Sequence, residues 1–152
     1  MRSASMNTPV ARMTLPGLAR YQDWTLLGLR LLTGAFLIVG VLDNIASAER
    51  MQEFIGFMTQ NGFSHPEFWA PFSVWAQFVC GVLLVLGLFT RAAGIVIAIN
   101  FVVAVIMVFV GLPFRDWWPA IVLVFLGLHF AAAGAGRFGL DSWISGHREG
   151  MA

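Results

Sequence analysis

The sequence contains no lysine, a single cysteine and a single tyrosine, and only 11% of its 152 residues carry charge. An ordinary soluble domain is about 25% charged, so a globule of this size would lack the ionic surface that keeps it in water. The apolar fraction is 59% before its 16 glycines are counted, against about 45–50% with glycine included for soluble domains. That balance points to lipid. Disorder is excluded as well, because 14 phenylalanines and 6 tryptophans among aliphatic runs bring too much apolar surface to stay exposed. The lone Cys80 rules out an intramolecular disulfide, dithiol chemistry of the Cys-x-x-Cys kind and a multi-thiolate zinc or iron–sulfur site. The basic residues are all arginines spread along the chain, with a formal net charge of +1, which gives no patch for nucleic acid.

Apolar runs occupy residues 26–42, 71–89, 92–112 and 118–136. Each is long enough to cross a hydrocarbon layer of about 30 Å, which takes ~20 helical residues. They lack the alternation of membrane strands, and in lipid each backbone amide must be satisfied within its own segment. The expected fold is an all-α membrane protein: a four-transmembrane-helix bundle over residues 25–144. Residues 1–24, with Pro9, Pro16 and Gly17, read as a flexible or interfacial arm, and 145–152 as a C-terminal tail. No signal-peptide pattern precedes the first run, so no cleaved presequence is expected; translation starts at Met1 or Met6.

Between the first two runs, Met51, Phe54, Ile55 and Met58 recur at helical spacing opposite Glu49, Arg50, Glu53 and Gln60. This predicts a short amphipathic interfacial helix ended by Gly62, with Pro71 opening the second span. Arg2, Arg12, Arg20, Arg91, Arg137 and Arg148 fall on one side of the layer, and Arg50 and Arg115 on the other. Arginine excess marks the cytoplasmic face, so a multi-pass membrane protein with both termini cytoplasmic is expected. Gly94 and Ala98 on the third span, and Gly127, Ala131 and Ala135 on the fourth, form small-residue ladders for helix packing, within the chain or at a homo-oligomer seam.

Polar residues inside a bilayer are costly and each needs a reason. Arg30, Asn100 and His129 come out at depths of about 6, 12 and 10 Å from the arginine-rich side at 1.5 Å per residue, so they are expected to share one inward-facing layer. Gln77 lies deeper, and Asp43 reaches the far rim. For Arg30 the alternatives are pairing with Asp141 or the headgroups, or contact with a ligand. His129 is either a core histidine or a speculative proton carrier, the one side chain in the spans with a reference pKa near neutrality. Gln77 and Asn100 read either as helix–helix glue or, with Arg30 and His129, as a speculative quinone or lipid pocket. No metal site and no other catalytic residue is expected.

The run Leu29-Arg30-Leu31-Leu32-Thr33-Gly34, the segment Phe54…Gly62-Phe63…Pro66, the run from Gly81 to Arg91 and the closing Gly134–Asp141 stretch together resemble the DoxX family of small bacterial membrane proteins, over about Leu26 to Ile144. Asp43 and Gln77 depart from the family's pattern, which often has Lys and Glu there; any activity that needs such a charged pair is not implied here. The resemblance implies a respiratory or redox membrane: a subunit or anchor associated with a quinone-linked oxidoreductase complex, without a cofactor of its own beyond a possible contact with quinone. The alternative is a quinone-reactive oxidoreductase or small lipophilic-ligand transporter using Arg30, Asn100 and His129. Expected partners are membrane lipid and redox subunits.

Overall fold

Glycine facing glycine decides how the helices close on one another. The computed structural model describes residues 16–149, so residues 1–15 of the expected arm and 150–152 of the expected tail lie outside the described residues. A short 3-10 turn, Pro16–Tyr21, leads into α1 (Gln22–Ala46). There follow α2 (Ala48–Gln60), α3 (Pro66–Leu86) and α4 (Thr90–Ala104), the last continuing through a π turn at Val105–Phe109. The chain then forms α5 (Phe114–Ala133) and α6 (Leu140–Glu149). Among the described residues there are no strands, and four helices, α1, α3, α4 with its π turn, and α5, are long and apolar enough to cross a membrane.

The bundle is built as two tight pairs, α1 against α3 and α4 against α5, joined more loosely through α3 and α4. In the first pair Gly34 meets Gly81: a methyl on Gly34 would lie 2.7 Å from the Gly81 carbonyl oxygen, and one on Gly81 would lie 2.9 Å from that of Gly34. In the second pair Gly94 meets Gly127 at 2.5 and 2.7 Å in the same sense. Only glycine lets backbones approach this closely, and dispersion between them then replaces the hydrophobic drive that lipid does not supply. The expected small-residue ladders are thus used inside the chain. Leu37, Leu84, Ile97 and Phe130 fill the centre, while Leu32, Val39, Phe125 and Ile99 point outward, as suits helices solvated by lipid.

Helix ends fall a few residues from the expected limits, for local reasons. α3 begins at Pro66, which sits at its first turn, and Pro71 lies inside the helix and does not open it. It stops at Leu86 because Gly87 turns left-handed at φ 67° and caps it. α5 ends at Ala133, where Gly134 takes φ 74°. The segment expected as a tail is helical as far as Glu149. The interfacial helix α2 forms as its periodicity demands, with Ser47 accepting the Arg50 N–H as cap and Met58 buried. On its exposed face Arg50 Nη1 donates to Glu53 Oε2, and that hydrogen bond, aided by the charges of Glu53 and Asp43, raises the Arg50 guanidinium above its usual range.

Candidate functional site

Arg30 is the largest fully buried side chain in the described bundle, 1% exposed on the first spanning helix. It occupies the helix stripe Leu26, Arg30, Thr33, Gly34, Leu37, Val41 that faces the other helices, so its long stem has no route to water along its own surface. Its Nε donates to the Leu84 carbonyl at 3.0 Å, and its Nη1 donates to the Ala135 carbonyl. Leu84 lies in the last turn of α3, where its carbonyl also accepts the Gly87 N–H, and Ala135 lies just past the end of α5. The guanidinium thereby fastens α1 to the end of α3 and to the α5–α6 connection. Gly87 and Gly139 make room for it: a Cβ on Gly87 would collide with the guanidinium and with the Gly139 backbone.

Asp141, at the start of α6, completes the junction. Its carboxylate accepts the Phe89 N–H at 2.8 Å and the Thr90 N–H at 3.0 Å, and its own N–H donates to the Gly87 carbonyl at 3.0 Å. Phe89 precedes α4 in a left-handed conformation, φ 48°, with no cap from its own side chain. An aspartate about fifty residues away in sequence therefore caps α4, satisfying orphan donors and placing a negative charge at the positive end of the helix. The carboxylate is within electrostatic reach of Arg30, but its oxygens accept the α4 amides while Nε and Nη1 of Arg30 donate to carbonyls. The expected Arg30–Asp141 partnership is thus indirect, organised through the turn at Gly87. Thr90 Oγ1 is buried with no hydrogen-bond partner among the described residues.

Two further arginines frame the same mouth. Arg91 Nη1 donates to the carbonyls of Ala131 and Ala132 at 2.9 and 2.6 Å, with its plane over Gly134. The Arg137 N–H donates to Asp23 Oδ1 at 3.2 Å, and its Nε stands 3.9 Å from Asp23 Oδ2. Between them opens a cleft of about 850 Å³ whose walls include Asp23, Phe89, Arg91, Gly134, Arg137 and Asp141.

The remaining polar residues go elsewhere. Gln77 Nε2 donates to Ser73 Oγ at 3.2 Å, and Ser73 Oγ donates to Asn100 Oδ1 at 2.8 Å. This half-buried chain joins α3 to α4 as helix glue. Asn100 lies ten residues into α4, about 15 Å along the helix, whereas Arg30 meets the last turn of α3, so the two do not share a layer. His129 is exposed on the outer side of α5, beside Phe130. The buried stripe there runs Ala120, Leu123, Gly127, Phe130, and position 129 falls off it. Depth separates Asn100 from Arg30, and helix phase turns His129 away from both. Ser73, Gly87, Gly139 and Arg91 were not singled out as site residues from sequence. An arginine in the first turn of a helix that follows a glycine turn was the available sign for Arg91.

Four apolar helices locked by glycine contacts and a buried arginine define a small multi-pass membrane protein. A family model described as DoxX matches residues 25–110, and the chain belongs to the DoxX family. The match takes in α1 to α4 and leaves α5 and the Gly134–Asp141 closing segment outside it. No curated protein and no solved structure matches the chain.

Proposed function

We propose that this protein is a structural subunit, a membrane anchor that packs beside a quinone-linked redox partner in the bacterial inner membrane, with both termini cytoplasmic. The observation that carries this reading is the employment of the intramembrane polar groups. Arg30 is spent on two backbone carbonyls, and Gln77, Ser73 and Asn100 on one another. Such groups hold a scaffold in shape. A guanidinium remains protonated, so Arg30 supplies a fixed charge and no proton exchange. Arg30, Asn100 and His129 do not converge on a shared cavity, so the residues present do not compose a quinone pocket of the kind considered from sequence. Quinone is accordingly assigned to the partner's side of the contact. The orientation is supported by Arg20, Arg91 and Arg137 lying at one end and Arg50 and Arg115 at the other, with arginine favouring the cytoplasmic side.

The test is isolation from native membranes in mild detergent. Co-purifying redox subunits, with no quinone turnover by the chain alone, are expected; turnover or saturable quinone binding by the isolated chain overturns the reading. For orientation, a periplasm-active reporter joined after Gln60 is expected to be active and one joined after Arg91 silent, and the reverse pattern refutes it.

A further inference from the structure

The cleft at the arginine-rich mouth has features that the scaffold does not use up. Arg91 is held by Nη1 alone, which leaves Nε–H and both Nη2 hydrogens without partners among the described residues. Because two carbonyls already fix its plane, those donors are pre-organised and lose little freedom on meeting an anion. Arg137, across the cleft, has a side chain 82% exposed, touching Asp23 only loosely. The carboxylates in the walls are partly spoken for: Asp141 by two amides of α4, Asp23 by the Arg137 amide. The cleft thus holds two arginines, Arg91 and Arg137, beside two carboxylates whose oxygens already accept backbone amides, with Arg30 buried behind its wall.

A second, more apolar groove of about 430 Å³ adjoins the first and shares Arg137 as its rim, with Leu86, Phe138, Leu140 and Trp143 along it. Trp24 packs on Phe138 with ring centroids 4.5 Å apart. Tryptophans of this kind sit at headgroup level. Free donors beside an oily groove, at the depth where lipid phosphates lie, match one ligand chemistry: a phosphate carrying an acyl tail.

We propose that this mouth binds an anionic phospholipid, its phosphate received by Arg91 and Arg137 and an acyl chain lying in the groove along Phe138 and Trp143. The inference rests on the membrane-spanning fold and is independent of the subunit reading. The shared chemistry is a phosphate group; the lipid is favoured over free phosphate because the apolar groove continues from the arginine-lined cleft at Arg137. Basic recesses of this kind between spanning helices select charged headgroups, at about 1 kcal/mol per arginine, or about fivefold in affinity.

The experiment uses the full chain in detergent, titrated with phosphatidylglycerol, phosphatidylcholine and inorganic phosphate, with bound lipid counted by native mass spectrometry. Phosphatidylglycerol is expected to bind in preference to phosphatidylcholine. Arg137→Gln is expected to weaken it about fivefold and Arg137→Lys to restore most of the loss, while millimolar inorganic phosphate does not displace it. Arg137 is exposed, so its variants keep the helical circular dichroism of the parent. Arg91→Gln adds to the loss. Equal retention of the two lipids, or an Arg137→Gln variant that binds as the parent does, overturns the proposal, and displacement by inorganic phosphate overturns the lipid as the source of the phosphate.

Discussion

Replacing Asp141 with alanine removes the cap of α4 from a distance. The Thr90 amide belongs to a residue 0% exposed and is left without its acceptor, which costs about 1–3 kcal/mol for a buried donor. The Phe89 amide is more open and water replaces its partner, at about 0.5 kcal/mol. The left-handed Phe89 backbone, itself about 1–2 kcal/mol uphill, loses the contact that holds it. A total loss of about 2–3 kcal/mol follows, with Asp141→Asn losing less because its amide oxygen still accepts one hydrogen bond. The chain carries its own reporter: Cys80 is the only thiol and is 5% exposed, so a thiol-reactive fluorophore signals opening of the core on heating in detergent. The midpoints are expected in the order parent, Asp141→Asn, Asp141→Ala. Coincident curves for the parent and Asp141→Ala refute the capping argument.

Arg30→Lys keeps the charge but cannot reach both the Leu84 and Ala135 carbonyls with one ammonium, and is expected to lose about 2–4 kcal/mol in the same thiol assay. Gly34→Ala drives a methyl against the Gly81 carbonyl and is expected to destabilise by about 1–3 kcal/mol, whereas Gly28→Ala, with open space around it, gains about 0.5–1 kcal/mol from helix propensity; a matching response at the two sites refutes the crossing. Thr90→Val deletes a buried hydroxyl that has no partner among the described residues and is expected to raise stability by about 1 kcal/mol, read by denaturant midpoint. His129→Leu faces lipid and is expected to leave the midpoint within about 0.5 kcal/mol; a larger drop places the histidine in the interior.

The spans were legible because their signal is additive: seventeen or more apolar residues in a row leave a helix as the only structure that satisfies its own amides in lipid. The interfacial helix was legible because Met51, Phe54, Ile55 and Met58 declare one face. The mouth was harder. Arg30 stood out as a charge in the wrong solvent, but its acceptors are the backbone carbonyls of Leu84 and Ala135, and a carbonyl has no letter in the sequence. Gly87 fell inside the expected second span and Gly139 within the closing Gly134–Asp141 stretch, since nothing local says that a guanidinium fills the space their missing side chains leave. His129 was misjudged for a different reason: counting residues gives depth, and only the azimuth around α5, fixed by packing of Gly127 and Phe130 on α4, says which way a side chain points.

The bond from Arg30 to Ala135 spans 105 positions of the chain, and this orders events during synthesis. The arginine enters the bilayer with the first helix, and its second acceptor arrives only after the fourth has been threaded. Until then its cation is held by α3 alone, or reaches for the headgroups. A ribosome that stops before Ala135 thus releases a chain with an unquenched charge near the membrane surface and with no Asp141 to start α4. Completion of the last connection closes both defects together.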